Sequence, residues 1–247
     1  MSEPSFSDDT LLDGRVKIRQ PTDGYRVAVD PVLLAAAVSA KSGQRVLDVG
    51  CGTGAAMFCL AARVTGVDVT GIEIQPALAK FAEDGIARNN FGARARVVTG
   101  DLMALPDIVC ATAFDVVMTN PPYGAEGTVS PKESVAQAHH EREVELQDWL
   151  TACLKLLKPN GRLAVIHRAD RLSDVLAAVR PHCGDIHIIP IYPKPGQPAR
   201  RVIVEAGKGR KTGDTLTPGL VLHAPDGSFT LEAARILRDG QGLSEAL

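Results

Sequence analysis

The 247-residue sequence predicts an α/β fold, a mostly parallel sheet with helices on both faces. From about residue 44, strand-like and helix-like segments alternate, the pattern of parallel strands joined by helical crossovers. The first strand runs into a glycine-rich turn, "DVGCGTG", with a helix behind it. The last two strand candidates are joined only by "PKPGQPA", too short for a helical crossover, which predicts an antiparallel hairpin at the sheet edge.

In chain order, residues 1–13 read as a loose leader. In "VAVDPVLLAAAVSA", Asp30 is the expected N-cap and Pro31 the first helical residue of an apolar helix. Strands are expected at 45–49, 69–74, 95–100, 114–120, 162–168, 186–192 and 200–207. These are runs rich in Val and Ile, of strand length. Helices are expected at roughly 54–64, 76–90, 143–157 and 170–180, and "LLKPNGR" ends the third of these. A further hairpin is expected to turn at Asp226 and Gly227, before a short helix. This divides the chain into an N-terminal segment with its helix (1–43), a central α/β domain (44–207) and a small C-terminal extension (208–247).

Composition narrows the function classes. A net charge of −2 means that any affinity for nucleic acid must come from local patches. "PVLLAAAV" is far shorter than a membrane span, and the polar, acidic start "MSEPSFSDDT" does not fit a signal peptide, so no membrane partner is expected. Five cysteines without a C-x-x-C pair argue against a disulfide framework or a zinc site. No histidine and acid spacing fits another metal. The chain reads as cytoplasmic.

Three strand ends carry the first site. Gly50, Gly52 and Gly54 let the backbone turn tightly and approach a ligand closely. Their G-x-G-x-G spacing is neither the pyrophosphate fingerprint nor a P-loop, so a phosphate-bearing ligand is disfavoured. Glu73 ends the second strand in "GIEI", about twenty residues later, where a carboxylate can accept both hydroxyls of a ribose. Asp101, in "TGDLMAL", ends the third strand, where it could accept from an adenine amino group or cap a helix.

Together, "LDVGCGTG", "GIEI" and "GDLMAL" resemble the Rossmann-like class I S-adenosylmethionine-dependent methyltransferases, with their seven-stranded sheet. The resemblance covers about residues 20 to 207. It implies S-adenosylmethionine as cofactor and S-adenosylhomocysteine as product. Gly50 to Gly54 would pass under the methionine end, Glu73 would bind the ribose and Asp101 the adenine, with Asp48, Cys51, Ile74, Leu102 and Asn120 also against the cofactor.

The second site is "TNPPYG", which follows the strand "FDVVM". Two prolines cannot donate to a ladder, so the strand stops at Asn120. With a methyl donor beside it, the Asn120 side-chain oxygen and the Pro121 carbonyl would accept from an exocyclic amine and localise its lone pair, while Pro122 stiffens the turn. Tyr123 would offer a face for a flipped base. The motif resembles that of amino-methyltransferases acting on adenine N6, cytosine N4 or glutamine N5, and does not separate those targets.

"IRQPTDGYRVAVDPVLLAAA" adds a resemblance to the tRNA adenine-N6 methyltransferases that modify a valine tRNA next to its anticodon. It rests on Gln20, Gly24, Tyr25, Arg26, Asp30, Leu33 and Leu34, and on His140-Glu141, "RRVIVE" and "DGSFTLEAARILRDG". It implies adenine N6 in tRNA as acceptor, with Asp30 and Arg26 near the methionine end. Basic residues crowd two stretches that could hold phosphates: Arg15, Lys17, Arg19 and Arg26, then Lys194, Arg200, Arg201, Lys208, Arg210 and Lys211. Residues 124–142 have the composition of a mobile loop, expected to close over the base, with His139 and His140 in it. The alternatives are a glutamine-N5 methyltransferase of the release-factor type, which normally carries a longer helical segment ahead of the glycine loop, and a non-catalytic RNA-binding protein. The assembly is expected to be a monomer or homodimer.

Overall fold

The computed structural model describes residues 5–22, 26–105, 109, 113–122 and 146–246. Where a loose leader is expected, the chain forms an antiparallel hairpin, β1 (Phe6–Leu11) with β2 (Val16–Pro21). Leu12, Asp13 and Gly14 turn it, all at positive φ. β2 buries Val16, Ile18 and Gln20 on one face, whereas β1 is polar and half-exposed. β1 is held by a ladder of six register pairs to β2, and its Asp8 also receives Arg19 (2.9 Å) and Arg88 (3.1 Å). Such pairs leave no hydrophobic period, so the strand is hard to see in sequence.

α1 (Asp30–Ala37) is buried along its whole length, as a helix apolar on every face beyond its first residue must be. Val29 occupies the cap position, without a side-chain cap bond, and Asp30 sits in the first turn. The expected capping role of Asp30 is therefore corrected: its carboxylate accepts from Arg201 Nε at 2.8 Å. The charge pairing comes from a residue 171 positions away, which local reading cannot reach.

The alternating region follows the expected order. It comprises β3 (Arg45–Val49), α2 (Ala55–Arg63), β4 (Asp68–Glu73), α3 (Pro76–Arg88), β5 (Ala95–Thr99) and β6 (Phe114–Thr119). α4 (Leu146–Lys155), β7 (Leu157–Arg168), α5 (Leu172–Val179), β8 (Cys183–Tyr192) and β9 (Arg201–Lys208) complete it. The sheet order is β5-β4-β3-β6-β7-β9-β8, and β9 runs antiparallel to both its neighbours. The expected β8–β9 hairpin is present, with its returning strand slipped inside between β7 and β8. Val202 to Gly207 are all buried, the pattern of an interior strand. Two short strands, β10 (Thr215–Leu216) and β11 (Leu220–Val221), add to the outer side of β8.

Alternate strand residues feed two cores. Val116, Met118, Ala164 and Ile166 face α1 and α2; Val117, Leu163 and Val165 face α4 and α5. The C-terminal segment closes the first core. Its expected hairpin narrows to one bridge, His223 with Phe229, followed by α6 (Leu231–Leu237) and α7 (Leu243–Ala246). Ile236, Leu243 and Ala246 share that core with Leu12 and Val32. No helix among the described residues is long and apolar enough to cross a membrane.

Candidate functional site

The carboxyl ends of β5, β4, β3 and β6 lie side by side and carry Asp101, Glu73, the glycine loop and Asn120 in that order. Three inter-strand steps separate the first from the last, about 14 Å at the usual spacing. The chain leaves β3 first toward β4 and later returns to pair β6 on its other side. That reversal is a topological switch point, where parallel sheets open a crevice for ligands.

The glycine loop is pinned at its base, since Gly50 N–H and Cys51 N–H both donate to the Ile72 carbonyl, at 2.9 and 3.0 Å. Gly54 has φ +90°, and a Cβ there would lie 2.5 Å from the Phe58 ring, so this position requires glycine. A Cβ at Gly52 would meet nothing within 4 Å: the middle of the loop faces open space. Glu73, buried at the end of β4, accepts Gly52 N–H through Oε2 (2.8 Å) and Gln75 N–H through Oε1 (2.9 Å). One carboxylate thus shapes the loop, and each oxygen keeps acceptor capacity for a ligand. Asp101 is half-buried and accepts Met103 N–H at 2.8 Å, an Asx-turn. Gly100 N–H donates to the Glu73 carbonyl (2.9 Å), tying the β4 and β5 ends together. Leu102 packs into the second core, while Ile74 and Met103 are large apolar side chains left 43% and 50% exposed. A buried acid below an open glycine turn, with exposed apolar side chains beside it, suits a ribose carrying a flat ring.

Asp48 is 2% exposed and accepts Met57 N–H at 3.1 Å. Burial pushes its carboxyl up from 3.8 to about 7, with the nearby Glu73 charge adding to the rise. The folded state therefore holds this proton more tightly than the unfolded chain. Its contribution to stability is complete below about pH 4 and is lost as pH rises through about 7, up to about 4 kcal/mol in all. Asp48→Asn keeps an acceptor for Met57 and removes the charge. Without cofactor, the wild-type melting temperature is expected to fall from pH 5 to pH 8 while the variant's falls less, and parallel curves would assign the titration elsewhere. Cys51 is buried, and burial pushes its thiol well up.

β6 ends at Thr119, and the chain continues through half-buried Asn120, buried Pro121 and exposed Pro122. Tyr123 lies outside the described residues, as do Gly24, Tyr25, Cys110, His139, His140, Glu141 and the expected loop at 124–142. Trp149 on α4 was not singled out in the sequence. Its Nε1–H donates to Thr119 Oγ1 (3.0 Å), and its ring stands where a Cβ on Gly50 would come within 3.3 Å. It is the chain's only tryptophan, the one sequence signal that could have marked it.

The basic stretches divide. Arg19 pairs with Asp8, Arg26 with Asp9, Arg201 with Asp30 and Arg210 with Asp185, all at 2.8–2.9 Å. Arg15 donates to the Arg238 carbonyl, and Lys208 to the carbonyls of Leu154 and Leu157 near the end of α4. Gln20 is buried, donating to Asp9 and accepting Val27 N–H. Gln20 and Arg26 thus fasten the hairpin to the segment leading into α1. Lys17, Arg200 and Lys211 have no ion-pair partner among the described residues, where no cluster suited to a metal occurs either.

Residues 40–200 match the model of a methyltransferase domain. A tRNA1(Val) (adenine(37)-N6)-methyltransferase of Porphyromonas gingivalis is 30% identical over 231 residues, 90% of this chain and 91% of that protein. One of the same name from Trichodesmium erythraeum is 26% identical, covering 90% and 93%. Among solved structures, a "predicted O-methyltransferase" from Agrobacterium tumefaciens superposes with a TM-score of 0.71 at 27% identity, over 86% of this chain and 97% of that one.

Proposed function

The chain belongs to the methyltransferase-domain family and, within it, to that of the tRNA1(Val) (adenine(37)-N6)-methyltransferases, and from this premise we propose that it methylates adenine N6 in tRNA, at position 37. The cofactor is S-adenosylmethionine, whose sulfonium supplies an electrophilic methyl group. The observation that carries the reading is the placement of Asn120 and Pro121 at the carboxyl end of β6, one strand from the open glycine loop at the switch point.

The residues divide the work. Glu73 accepts the ribose hydroxyls with the lone pairs its two backbone bonds leave over. Asp101 accepts from the adenine amino group, and Ile74 and Met103 cover the faces of that ring. In the acceptor, N6 is a weak nucleophile because its lone pair is delocalised into the purine. Asn120 Oδ1 and the Pro121 carbonyl accept its two N–H bonds, which localises the lone pair and holds nitrogen in line. Neither Pro121 nor Pro122 has an N–H to compete for those acceptors. No strong base is needed, and the extra proton leaves the methylated nitrogen to water. Tyr123, next in the sequence after the two prolines, is the aromatic residue proposed to stack the base.

Labelled S-adenosylmethionine incubated with tRNA and with total protein, both from a strain lacking the methylase, tests this. Label in tRNA that digests to N6-methyladenosine is the expected result. Label in a protein glutamine would overturn it in favour of the release-factor type.

A further inference from the structure

We infer that Thr119 and Trp149 are positioning residues that set the spacing between the donor loop and the acceptor residues Asn120 and Pro121. The inference rests on the functional reading above and concerns residues that the reading does not use. Val49 and Thr119 are register partners and the last ladder pair between β3 and β6. The next residue on one strand is Gly50, at the start of the glycine loop. The next on the other is Asn120, the acceptor amide. Beyond the ladder, backbone pairing no longer holds the two apart at a defined distance.

Side chains take over at that point. Thr119, fully buried, donates its hydroxyl to the Val49 carbonyl at 2.9 Å and accepts Trp149 Nε1–H at 3.0 Å. The bond chain runs from β3, through β6, to α4. The same indole closes the circuit by packing on Gly50, where a Cβ would stand 3.3 Å from Cζ2 and 3.5 Å from Cη2. A rigid bicyclic ring therefore touches the residue that begins one half of the site and hydrogen-bonds the residue that precedes the other half. α4 is anchored below it by buried Leu150, Cys153 and Leu154, so the ring is held by a packed helix. Displacing either half by about 1 Å would spoil the in-line approach of N6 while leaving most contacts with each ligand in place, a change worth on the order of 100-fold in rate.

Thr119→Val keeps the shape and removes the hydroxyl. Trp149→Phe keeps a ring against Gly50 and removes the N–H. In single turnover at saturating S-adenosylmethionine, both are expected to lose about 10–100-fold in rate. Their dissociation constants for S-adenosylhomocysteine and their KM for tRNA should stay within about three-fold, a split that a merely structural role would not produce. Thr119→Ser, which restores the hydroxyl, should recover most of the rate. A full rate in Thr119→Val overturns the inference, and so does a loss shared equally by cofactor affinity.

Trp149 also supplies a readout that needs no acceptor. As the only tryptophan, its emission should change when S-adenosylhomocysteine, with binding verified by calorimetry, fills the loop above it. If wild-type protein labels no tRNA, the functional reading fails on that result, and the emission then judges the inference separately. An emission unmoved by saturating S-adenosylhomocysteine overturns it.

Discussion

Asn120→Ala is expected to lower the rate of methyl transfer by about 10²–10³-fold, the usual effect of deleting one preorganised polar group at the reacting centre. The dissociation constant for S-adenosylmethionine should stay within a few-fold. The Pro121 carbonyl remains, so one N–H of the acceptor would still be held, but the nitrogen would be free to rotate and its lone pair to rejoin the ring. Asn120 follows Thr119 directly, and Thr119 is buried and bonded to Val49. Removing the amide should thus leave the end of β6 in place, and the melting temperature should change little. Single-turnover labelling beside calorimetric titration separates the two quantities. A variant that loses rate and cofactor affinity in equal measure would show Asn120 to be a cofactor ligand and no more.

Glu73→Ala should act on the other half of the site, lowering cofactor affinity where Asn120→Ala lowers rate. The lost carboxylate removes charge-assisted bonds to the ribose, about 2–3 kcal/mol, or roughly 30- to 150-fold in the dissociation constant. It also leaves the N–H groups of Gly52 and Gln75 without their acceptor, so the loop should loosen and the melting temperature fall even without cofactor. Glu73→Gln, which keeps one carbonyl oxygen, should fall between the two. Calorimetry with S-adenosylhomocysteine and a thermal melt read both effects, and an unchanged dissociation constant removes Glu73 from the site.

The site's backbone was largely legible before the structure. A strand followed by G-x-G-x-G states a demand on φ, met at Gly50, Gly52 and Gly54, all in the left-handed region. "NPP" after an apolar run states where a ladder must end, and β6 ends one residue before Asn120. Glu73 and Asp101 could be placed at strand ends from spacing alone. Their second duties, holding Gly52 and Met103 by backbone bonds, could not.

For charged side chains, residue type leaves the partner open. Arg15, Arg19 and Arg26 crowd one stretch of the sequence and Lys208 and Arg210 another, yet each is tied to a carboxylate or a carbonyl within the fold. Residue type reports that a side chain is cationic; its partner is chosen by packing. The polar strand β1 escaped notice because its ladder with β2 and its ion pairs to Arg19 and Arg88 leave no buried apolar face to read.

What the sequence determined by itself is what short stretches of chain dictate: the strand–helix alternation, the turn at the glycines, the stop at the prolines and the antiparallel return after "PKPGQPA". These follow from periodicity and backbone sterics, which act over a few residues. Tertiary structure alone decided which strand β9 slips beside, that Asp30 meets Arg201 instead of capping α1, and that Trp149 stands under Gly50 while holding Thr119. Those contacts join residues 30 to 171 positions apart, where the cost of bringing them together is met by the whole core and not by any local preference.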